Sequence, residues 1–372
     1  MIPFVSLDFY IFSTVFSLSV LILKDKLRAF INYDVLLFSV TIAFMICLPQ
    51  PLYSFLLLFY CYALYLTYCR LDRAKWFFIG LAAMPILALK LNIIAIIGVS
   101  YIIFRVVQIM LDKDRFKEIN IFYFTVFVMF PYTLLSGPID RSDRFVENLK
   151  KGYDNVTIAD AKVGARQILT GLVYKYSIAF FLNYFLLSNI LPFQARPNII
   201  FRIVDASAYA AYLFFDFAGY SLMAIGFSRI IGISLPMNFE KPFLALNPKE
   251  FWRRFHITLG SWLNDYVFKP LYLAFSRRRF FRAHPLLGQN IALFLTFLVM
   301  GVWNGFKLHL ILSGAVFGLY QAIHNSWIYG MKKYGKEPFS AFPKWSRTAV
   351  KWILQTSAVI FSLYIFSGRW FS

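Results

Sequence analysis

The chain reads FFDFAGYSLMAIGF at residues 214–227, NFEKPF at 238–243 and EFWRRFHITLGSWLNDY at 250–266. These segments set acidic and basic side chains, tryptophans and one histidine between runs as apolar as membrane helices. Ionisable groups inside a bilayer are costly unless they face a polar interior or a partner. Asp216, which lies between aromatic residues, is therefore expected to be protonated, paired or turned toward a cavity. The stretch from Phe214 to Tyr266 predicts a polar site within a membrane-embedded bundle.

The rest of the 372-residue chain is strongly apolar, with 60% hydrophobic, 20% aromatic and only 15% charged residues and a mean hydropathy of +0.63. Soluble domains carry about 25% charged residues, so we predict an all-α polytopic membrane protein. A spanning helix needs about 20 apolar residues. Apolar runs occur at 6–23, 35–49, 51–69, 76–104, 119–136, 168–187, 208–235, 287–303, 308–329 and 350–367. They predict about ten crossings or re-entrant pieces, with 76–104 either a hairpin or one helix broken near Pro85.

Charge placement predicts the topology. The first run is interpreted as an uncleaved helix, because no basic segment precedes it. Lys24, Lys26 and Arg28 follow it, so the positive-inside rule places that end in the cytoplasm and the N-terminus outside. The net charge of +20 is assigned mainly to topology and contact with membrane lipids. A nucleic-acid partner is excluded, because no basic segment stands apart from the apolar runs.

One amphipathic or re-entrant helix is predicted to start at Asn247, with that side chain as its cap and Pro248 in its first turn. Large apolar residues recur from there at spacings of three and four and mark one face of the helix: Trp252, Phe255, Leu259 and Trp262. His256 is adjacent to this face, so the helix would carry it into protein-lined space.

The remaining histidines are expected to have other roles, His284 as a solvated loop residue and His309 and His324 as structural residues. The four histidines lack paired spacing and the three cysteines form no CxxC pattern. We therefore predict no metal site and no disulfide.

A loop is predicted at 134–145, LLSGPIDRSDRF, where Gly137 and Pro138 break the helix. Asp140 and Arg141 in this loop can pair with each other or reach a ligand. The polar residues that follow, 146–166, predict a surface helix with its cap near Thr157 or Asp160. Arg105 lies inside an apolar run and is expected to snorkel or pair.

Two motifs together carry a family resemblance. The segment FWRRFHITLGSWLNDY at 251–266, with MGVWNG at 300–305, is similar to the paired signature of the membrane-bound O-acyltransferases. More narrowly, SGPIDRSDRF at 136–145, NFEKPF and YIFSG at 364–368 resemble the subfamily that transfers D-alanine to teichoic acids. The similarity runs from about residue 90 to the end of the chain.

The resemblance implies a fold and a reaction. It implies a single integral-membrane domain over 1–372 of about ten or eleven transmembrane helices, with re-entrant or amphipathic helices around a central tunnel. Residues 1–118 would be packing helices and 208–330 the catalytic core. The donor would be D-alanine on the phosphopantetheine thioester of an acyl carrier protein, with no bound cofactor. The acceptor would be a hydroxyl of a cell-envelope polymer such as lipoteichoic acid.

The implied setting is a bacterial cell membrane, with the carrier protein on the cytoplasmic side and a further acyl-transfer partner on the outer face. Carrier proteins are acidic, so their docking surface should be basic. The densest basic cluster follows the histidine motif and consists of Arg277, Arg278, Arg279 and Arg282, while Arg253 and Arg254 lie nearer to His256. The same arginines can instead anchor the chain to anionic lipid.

The catalytic residues implied are His256 and Asn304, with the substrate tunnel formed by Ser136, Asp140, Arg141, Asp216, Trp252 and Trp303. The sequence departs from the family pattern in two places, because Asn304 and Gln321 stand where the family has histidines. An asparagine can hold a carbonyl or an oxyanion but cannot accept the hydroxyl proton.

Three interpretations of these departures are open. In the first, His256 is the base and Asn304 orients the acyl group. In the second, the chain is a weak or inactive enzyme that still binds donor and carrier. In the third, His309 or His324 supplies the base, although His309 would lie about 140° around an ideal helix from Asn304.

Other functions are also open. An alginate-type polysaccharide O-acetyl transfer protein would use a smaller acyl donor. A non-catalytic binding or acyl-channel protein would fit the loss of the histidine at Asn304. A transporter is disfavoured, because such folds are typically built from inverted repeats and the sequence shows none.

Overall fold

The computed structural model describes residues 1–71, 74–113, 119–190, 198–335, 337, 339 and 341–371. Within this part of the chain the backbone is helical almost throughout, and an antiparallel bridge between Phe239 and Phe255 is its sole β pairing. The chain forms two compact units. Unit 1 comprises Met1–Lys175 and Phe217–Met237, and unit 2 comprises Tyr176–Asp216 and Asn238–Ser372. The segment LPFQARPN at 191–198, whose two prolines predict a loop, lies outside the described residues except for Asn198.

Unit 1 contains eight complete helices among its described residues. They are α1 (Leu7–Phe30), α2 (Tyr33–Ile46), α3 (Pro51–Leu71), α4 (Lys75–Lys90), α5 (Val99–Leu111), α6 (Ile121–Val128), α7 (Ser142–Lys151) and α8 (Ile158–Leu172). The long helix α9 (Ile199–Ile230) contributes its second half to unit 1 and its first half to unit 2.

Unit 2 continues with seven helices in its described part. They are α10 (Pro248–Trp252), α11 (Ile257–Leu263), α12 (Lys269–Ser276), α13 (Arg279–Ala283), α14 (Pro285–Asn304), α15 (Leu308–Lys333) and α16 (Lys344–Ser367). Wider π-helical turns occur at Val173–Ala179, Leu182–Ile190 and Asn264–Phe268.

Five of the described helices are long and apolar enough to cross a membrane: α1, α3, α9, α14 and α16. Shorter apolar helices occur at Tyr33–Ile46, Val99–Leu111 and Ile121–Thr133. The all-helical, polytopic membrane class predicted from the sequence is thereby confirmed.

Two predicted boundaries need correction. The run 76–104 is a pair of contacting helices, but the break follows Lys90, and α4 continues through Pro85. Proline is tolerated inside membrane helices because neighbouring groups satisfy the freed carbonyl. The predicted surface helix at 146–166 is two helices, because Gly152, with φ +56°, ends α7. The predicted cap of α8 is confirmed, since Thr157 Oγ1 accepts from the Asp160 N–H at 3.0 Å.

Arg105 was expected to snorkel or to pair, and the structure shows it paired with backbone carbonyls inside the protein. It is only 1% exposed, and its guanidinium donates to the carbonyls of Phe127 at 3.0 Å, Val128 at 2.9 Å and Thr133 at 2.5 Å. These carbonyls lie at the end of α6 and in the turn after it, where helical partners are missing. Arg105 therefore holds the chain where it leaves α6 for the loop at 134–141.

Two glycine pairs bring α8 against α9, Gly164 with Gly226 and Gly171 with Gly219. A Cβ at Gly164 would lie 2.7 Å from the carbonyl oxygen of Gly226, and one at Gly171 would lie 2.6 Å from that of Gly219. The two glycines of each helix are seven residues apart, so they share a face. Small residues of this kind let helix backbones approach closely inside a membrane.

We expect Gly171→Ala to lower the midpoint of thermal unfolding in detergent. Its methyl group would overlap the Gly219 carbonyl, and overpacking costs about 1–3 kcal/mol, more than the gain of about 1 kcal/mol in helix propensity. Gly80→Ala in α4 is the matched control, because nothing lies within 4 Å of its Cβ position. A midpoint for Gly171→Ala equal to or above that of Gly80→Ala would contradict the packing argument.

Candidate functional site

The polar segment after Asn247 is not one amphipathic helix, so that prediction is wrong. It forms two short helices, α10 and α11, separated by residues 253–256. The break arises because backbone groups pair across the chain: Glu240 N–H donates to the Arg254 carbonyl at 2.9 Å, and Ile257 N–H to the Asn238 carbonyl at 2.9 Å. The predicted cap is confirmed, since Asn247 Oδ1 accepts from Glu250 N–H at 2.9 Å.

His256 occupies the corner between these helices. Its backbone is left-handed, with φ +46°, a conformation that costs non-glycine residues about 1–3 kcal/mol and is concentrated at functional sites. Its carbonyl accepts from Gly260 N–H at 3.0 Å in the first turn of α11. The side chain is buried, and burial lowers its pKa to about 3, because charging imidazole away from water is unfavourable. His256 is therefore a neutral imidazole at physiological pH.

Glycines also set the packing of α14 on α15. A Cβ at Gly301 would lie 2.7 Å from the Leu310 carbonyl oxygen, and one at Gly314 would lie 2.5 Å from that of Phe297. Phe297 of α14 and Phe317 of α15 both contact Trp252. The centroid of the Trp252 ring is 5.0 Å from that of Phe297 and 5.0 Å from that of Phe317. The tryptophan of the histidine motif thus anchors α10 to the α14–α15 pair.

An open cleft of about 920 Å³ lies along α10, α11, α14 and α15. Its wall has three kinds of residue. Apolar contacts come from Trp252, Ile257, Leu293, Phe297, Met300 and Ile328. Uncharged polar groups come from Gln289, Thr296, Gln321, His324 and Asn325, and basic groups from Lys249, Arg253 and Lys332. All three basic residues are exposed.

The cleft follows α14 from Gln289 to Met300, which is about 16 Å at 1.5 Å per residue. Asn304 lies one turn beyond its Met300 end, and Asn304 Nδ2 donates to the Met300 carbonyl at 2.9 Å. Ile257, the residue after His256, also lines it. Both predicted catalytic positions therefore adjoin cleft-lining residues of unit 2.

His324 lines the cleft but lies far from Asn304. Asn290 donates to Ser326 Oγ at 2.7 Å and accepts from Asn325 at 2.7 Å, so the turn containing His324 is level with Asn290. Asn304 is fourteen residues further along α14, about 21 Å. The interpretation in which His324 replaces a base at Asn304 is therefore not supported by its position.

His309 does not lie about 140° around one helix from Asn304, because α14 ends at Asn304 and α15 begins at Leu308. His309 is the second residue of α15, and its Nδ1 lies 2.8 Å from the Phe366 carbonyl oxygen in the last turn of α16.

Three predicted tunnel residues, Ser136, Asp140 and Arg141, belong to unit 1. The Asp140 carboxylate accepts from Arg141 N–H at 2.7 Å and from Arg144 Nε at 2.8 Å. Burial raises the pKa of Asp140 to about 6, against the attraction of Arg144. These contacts shape the start of α7, and a ligand-binding role for the three residues stays a prediction.

The other predicted residues lie in unit 2. Asp216 is half-buried in α9, and Trp303 is half-buried in the last turn of α14; neither is among the described residues that line the cleft. Arg254 pairs with Glu250 at 2.6 Å. Arg277, Arg278 and Arg279 are exposed around the α12–α13 junction. Among the described residues, no group of three or more histidine, cysteine, aspartate or glutamate side chains could hold a metal ion.

Residues 41–367 match the model of the membrane-bound O-acyltransferase family. The chain belongs to this family. It is accordingly an O-acyltransferase and a multi-pass protein of a bacterial membrane, in agreement with its apolar helices.

Several curated relatives are similar over most of the chain. A teichoic acid D-alanyltransferase of Bacillus subtilis is 34% identical over 285 residues, 75% of this chain and 70% of the relative. A protein of the same name from Streptococcus thermophilus is 30% identical over 321 residues, 79% of this chain and 76% of the relative. A probable alginate O-acetylase of Pseudomonas syringae is 31% identical over 288 residues, 73% of this chain but 49% of the relative.

Sequence reasoning missed the polar wall of the cleft. Gln321, His324 and Asn325 recur at spacings of three and four on α15, as do Gln289, Leu293 and Thr296 on α14. This is the periodicity of one helix face. The sequence contains this periodicity, but it does not indicate that these faces of α14 and α15 line the same cleft.

Proposed function

We propose that this O-acyltransferase moves D-alanine from the phosphopantetheine thioester of an acyl carrier protein to a hydroxyl of a cell-envelope polymer such as lipoteichoic acid. The observation that carries the proposal is the similarity to teichoic acid D-alanyltransferases at 34% and 30% identity over three-quarters or more of the chain. The alginate-type relatives align over less than half of their own length, which favours D-alanyl over acetyl transfer.

The unit 2 cleft supports a donor that is long and thin. Its run of about 16 Å along α14 suits an extended arm, and its side-chain amides can hydrogen-bond the amides of a pantetheine chain. Its exposed lysines and arginine suit an acidic carrier protein or a phosphate. Basic residues also mark the cytoplasmic ends of membrane helices, where a cytoplasmic carrier would dock.

The proposed catalytic residues are His256 and Asn304. In the reaction the acceptor hydroxyl attacks the thioester carbonyl carbon, a C–O bond forms, and the C–S bond breaks to release the arm as a thiolate. His256, a neutral imidazole, would take the hydroxyl proton and return it to the thiolate. Asn304 would donate its amide N–H to the carbonyl oxygen as negative charge develops there.

This division of roles can be tested by the alkali-labile D-alanine of the cell envelope, in a strain that lacks its own homologue and carries the cognate carrier and partner genes. We expect the wild-type chain to restore the esters. His256→Ala should lower the transfer rate about 10²–10⁴-fold, the usual cost of losing a general base. His284→Ala, an exposed histidine between α13 and α14, should leave the rate unchanged.

Other outcomes decide between the remaining interpretations. If Asn304→His restores the D-alanyl esters and the wild-type chain does not, the wild-type protein lacks its catalytic base and is inactive. Acetyl esters in place of D-alanyl esters would assign the alginate-type reaction. A wild-type rate for His256→Ala would remove that histidine from the mechanism.

The carrier is proposed to dock on the basic residues that follow α10, Arg253 and the half-buried Arg254, and on the exposed Arg277–Arg279 at the α12–α13 junction. Unlike charges speed protein encounter, and the effect weakens as salt rises. We expect Arg277→Glu/Arg278→Glu/Arg279→Glu to raise KM for the D-alanyl carrier about tenfold or more at low salt. Lys249→Glu/Arg253→Glu should do the same.

Lys344→Glu is the control for charge alone, because Lys344 is exposed at the start of α16 and belongs to neither basic group. If KM for the carrier were unchanged in both multiple variants while binding to vesicles of anionic lipid fell, the arginines would be lipid anchors rather than a docking surface.

A further inference from the structure

We propose that His309 recognises the α-ammonium group of the donor's aminoacyl moiety, and so makes the enzyme prefer an aminoacyl thioester over a neutral acyl thioester. The inference rests on the proposed D-alanyl transfer and adds a specificity-determining residue to it. The ammonium nitrogen of an alanyl thioester is bonded to the α-carbon, two bonds from the carbonyl carbon. Its binding site must therefore lie close to the group that holds the carbonyl oxygen, which is proposed to be Asn304.

His309 lies at the same corner as Asn304. Only Gly305, Phe306 and Lys307 connect α14 to α15. The corner is tight, because a Cβ at Gly305 would lie 2.8 Å from the Leu310 side chain and one at Gly301 would lie 2.7 Å from the Leu310 carbonyl oxygen. The first turn of α15 is therefore packed on the last turn of α14, one turn past the Met300 end of the cleft.

The imidazole is held in a fixed orientation and tautomer. Its Nδ1 lies 2.8 Å from the Phe366 carbonyl oxygen, and a carbonyl only accepts, so Nδ1 carries a hydrogen, and in the neutral ring Nε2 then presents a lone pair. Gly368 supports the ring: a Cβ there would lie 3.4 Å from its Cγ, Cδ2 and Cε1 atoms. Gly368 has φ +77°, a left-handed conformation that favours glycine.

Nothing else on the described part of the chain occupies the Nε2 atom, since no described donor lies within hydrogen-bond distance of it. The ring is half-buried, so a ligand can reach it. A neutral imidazole with Nδ1 bonded is an acceptor at Nε2, and an ammonium group is a donor.

Helix ends add a favourable potential for a cation. The C-termini of α14 (Pro285–Asn304) and α16 (Lys344–Ser367) both lie at this corner, linked by the bond from His309 to Phe366. Each carries a partial negative charge of about half a unit. The N-terminus of α15 and the exposed Lys307 oppose this effect, while Arg369, the next cation, is paired with Asp205 at 2.6 Å.

The test compares two carrier thioesters that differ only in the ammonium group, D-alanyl and propionyl. We expect His309→Leu to lower kcat/KM for the D-alanyl donor about tenfold and to leave the propionyl donor unchanged. His309→Gln should keep most of the preference, since its amide can donate to Phe366 and still accept an N–H. Equal losses for both donors in His309→Leu would leave their ratio unchanged, which would make His309 a structural residue and overturn the proposal. No loss for either donor would overturn it as well.

A binding measurement separates this inference from the proposed function. Non-hydrolysable D-alanyl and propionyl pantetheine amides can be titrated into the detergent-solubilised wild-type, His309→Leu and His284→Leu proteins. We expect tighter binding of the D-alanyl compound by wild type and His284→Leu, and loss of that difference in His309→Leu. If the protein does not transfer D-alanine but this difference in binding remains, the ammonium site is supported and the proposed transfer reaction is not. If the wild-type protein binds both compounds equally, the proposal of an ammonium site at His309 is wrong.

Discussion

The close contact between α14 and α15 is the constraint on which the rest of the site depends. Gly301 and Gly314 have no side chains, so the two backbones approach within the space that a Cβ would need. That approach fixes the level of Asn304 relative to the start of α15 and leaves the Gln289–Met300 face of α14 opposite Gln321 and Asn325. Trp252 then packs on Phe297 and Phe317. The cleft is the space that remains beside these contacts.

A second constraint comes from the membrane, where each polar group needs a partner within the protein. Arg105 meets it in unit 1 by donating to two carbonyls at the end of α6 and to one in the turn after it. In unit 2 the pair of Arg369 and Asp205 meets it with three hydrogen bonds, at 3.0, 2.9 and 2.6 Å. Uncharged polar side chains of unit 2, among them Gln289, Gln321 and His324, line the cleft, which is why its wall is informative about function.

The fold class could be predicted from apolar runs and charge content, because both follow directly from the cost of placing charge in a bilayer. The caps at Asn247 and Thr157 could be predicted as well, since they depend on neighbouring residues alone. The break at residues 253–256 could not, because it depends on backbone bonds to Asn238 and Glu240. The position of His309 could not be predicted either, because α14 ends at Asn304 and α15 begins at Leu308, and its ring partner, Phe366, is 57 residues away.

In the proposed reaction the acyl group of the donor reaches the Met300–Asn304 end of the unit 2 cleft. This position is tested most directly by photo-crosslinking with a carrier protein whose pantetheine arm ends in a diazirine. Mass spectrometry of the digested complex should place the crosslinks on the second half of α14, Thr296–Asn304, and on the facing residues of α11 and α15. Crosslinks confined to helices α1–α6 of unit 1 would contradict this position of the acyl group.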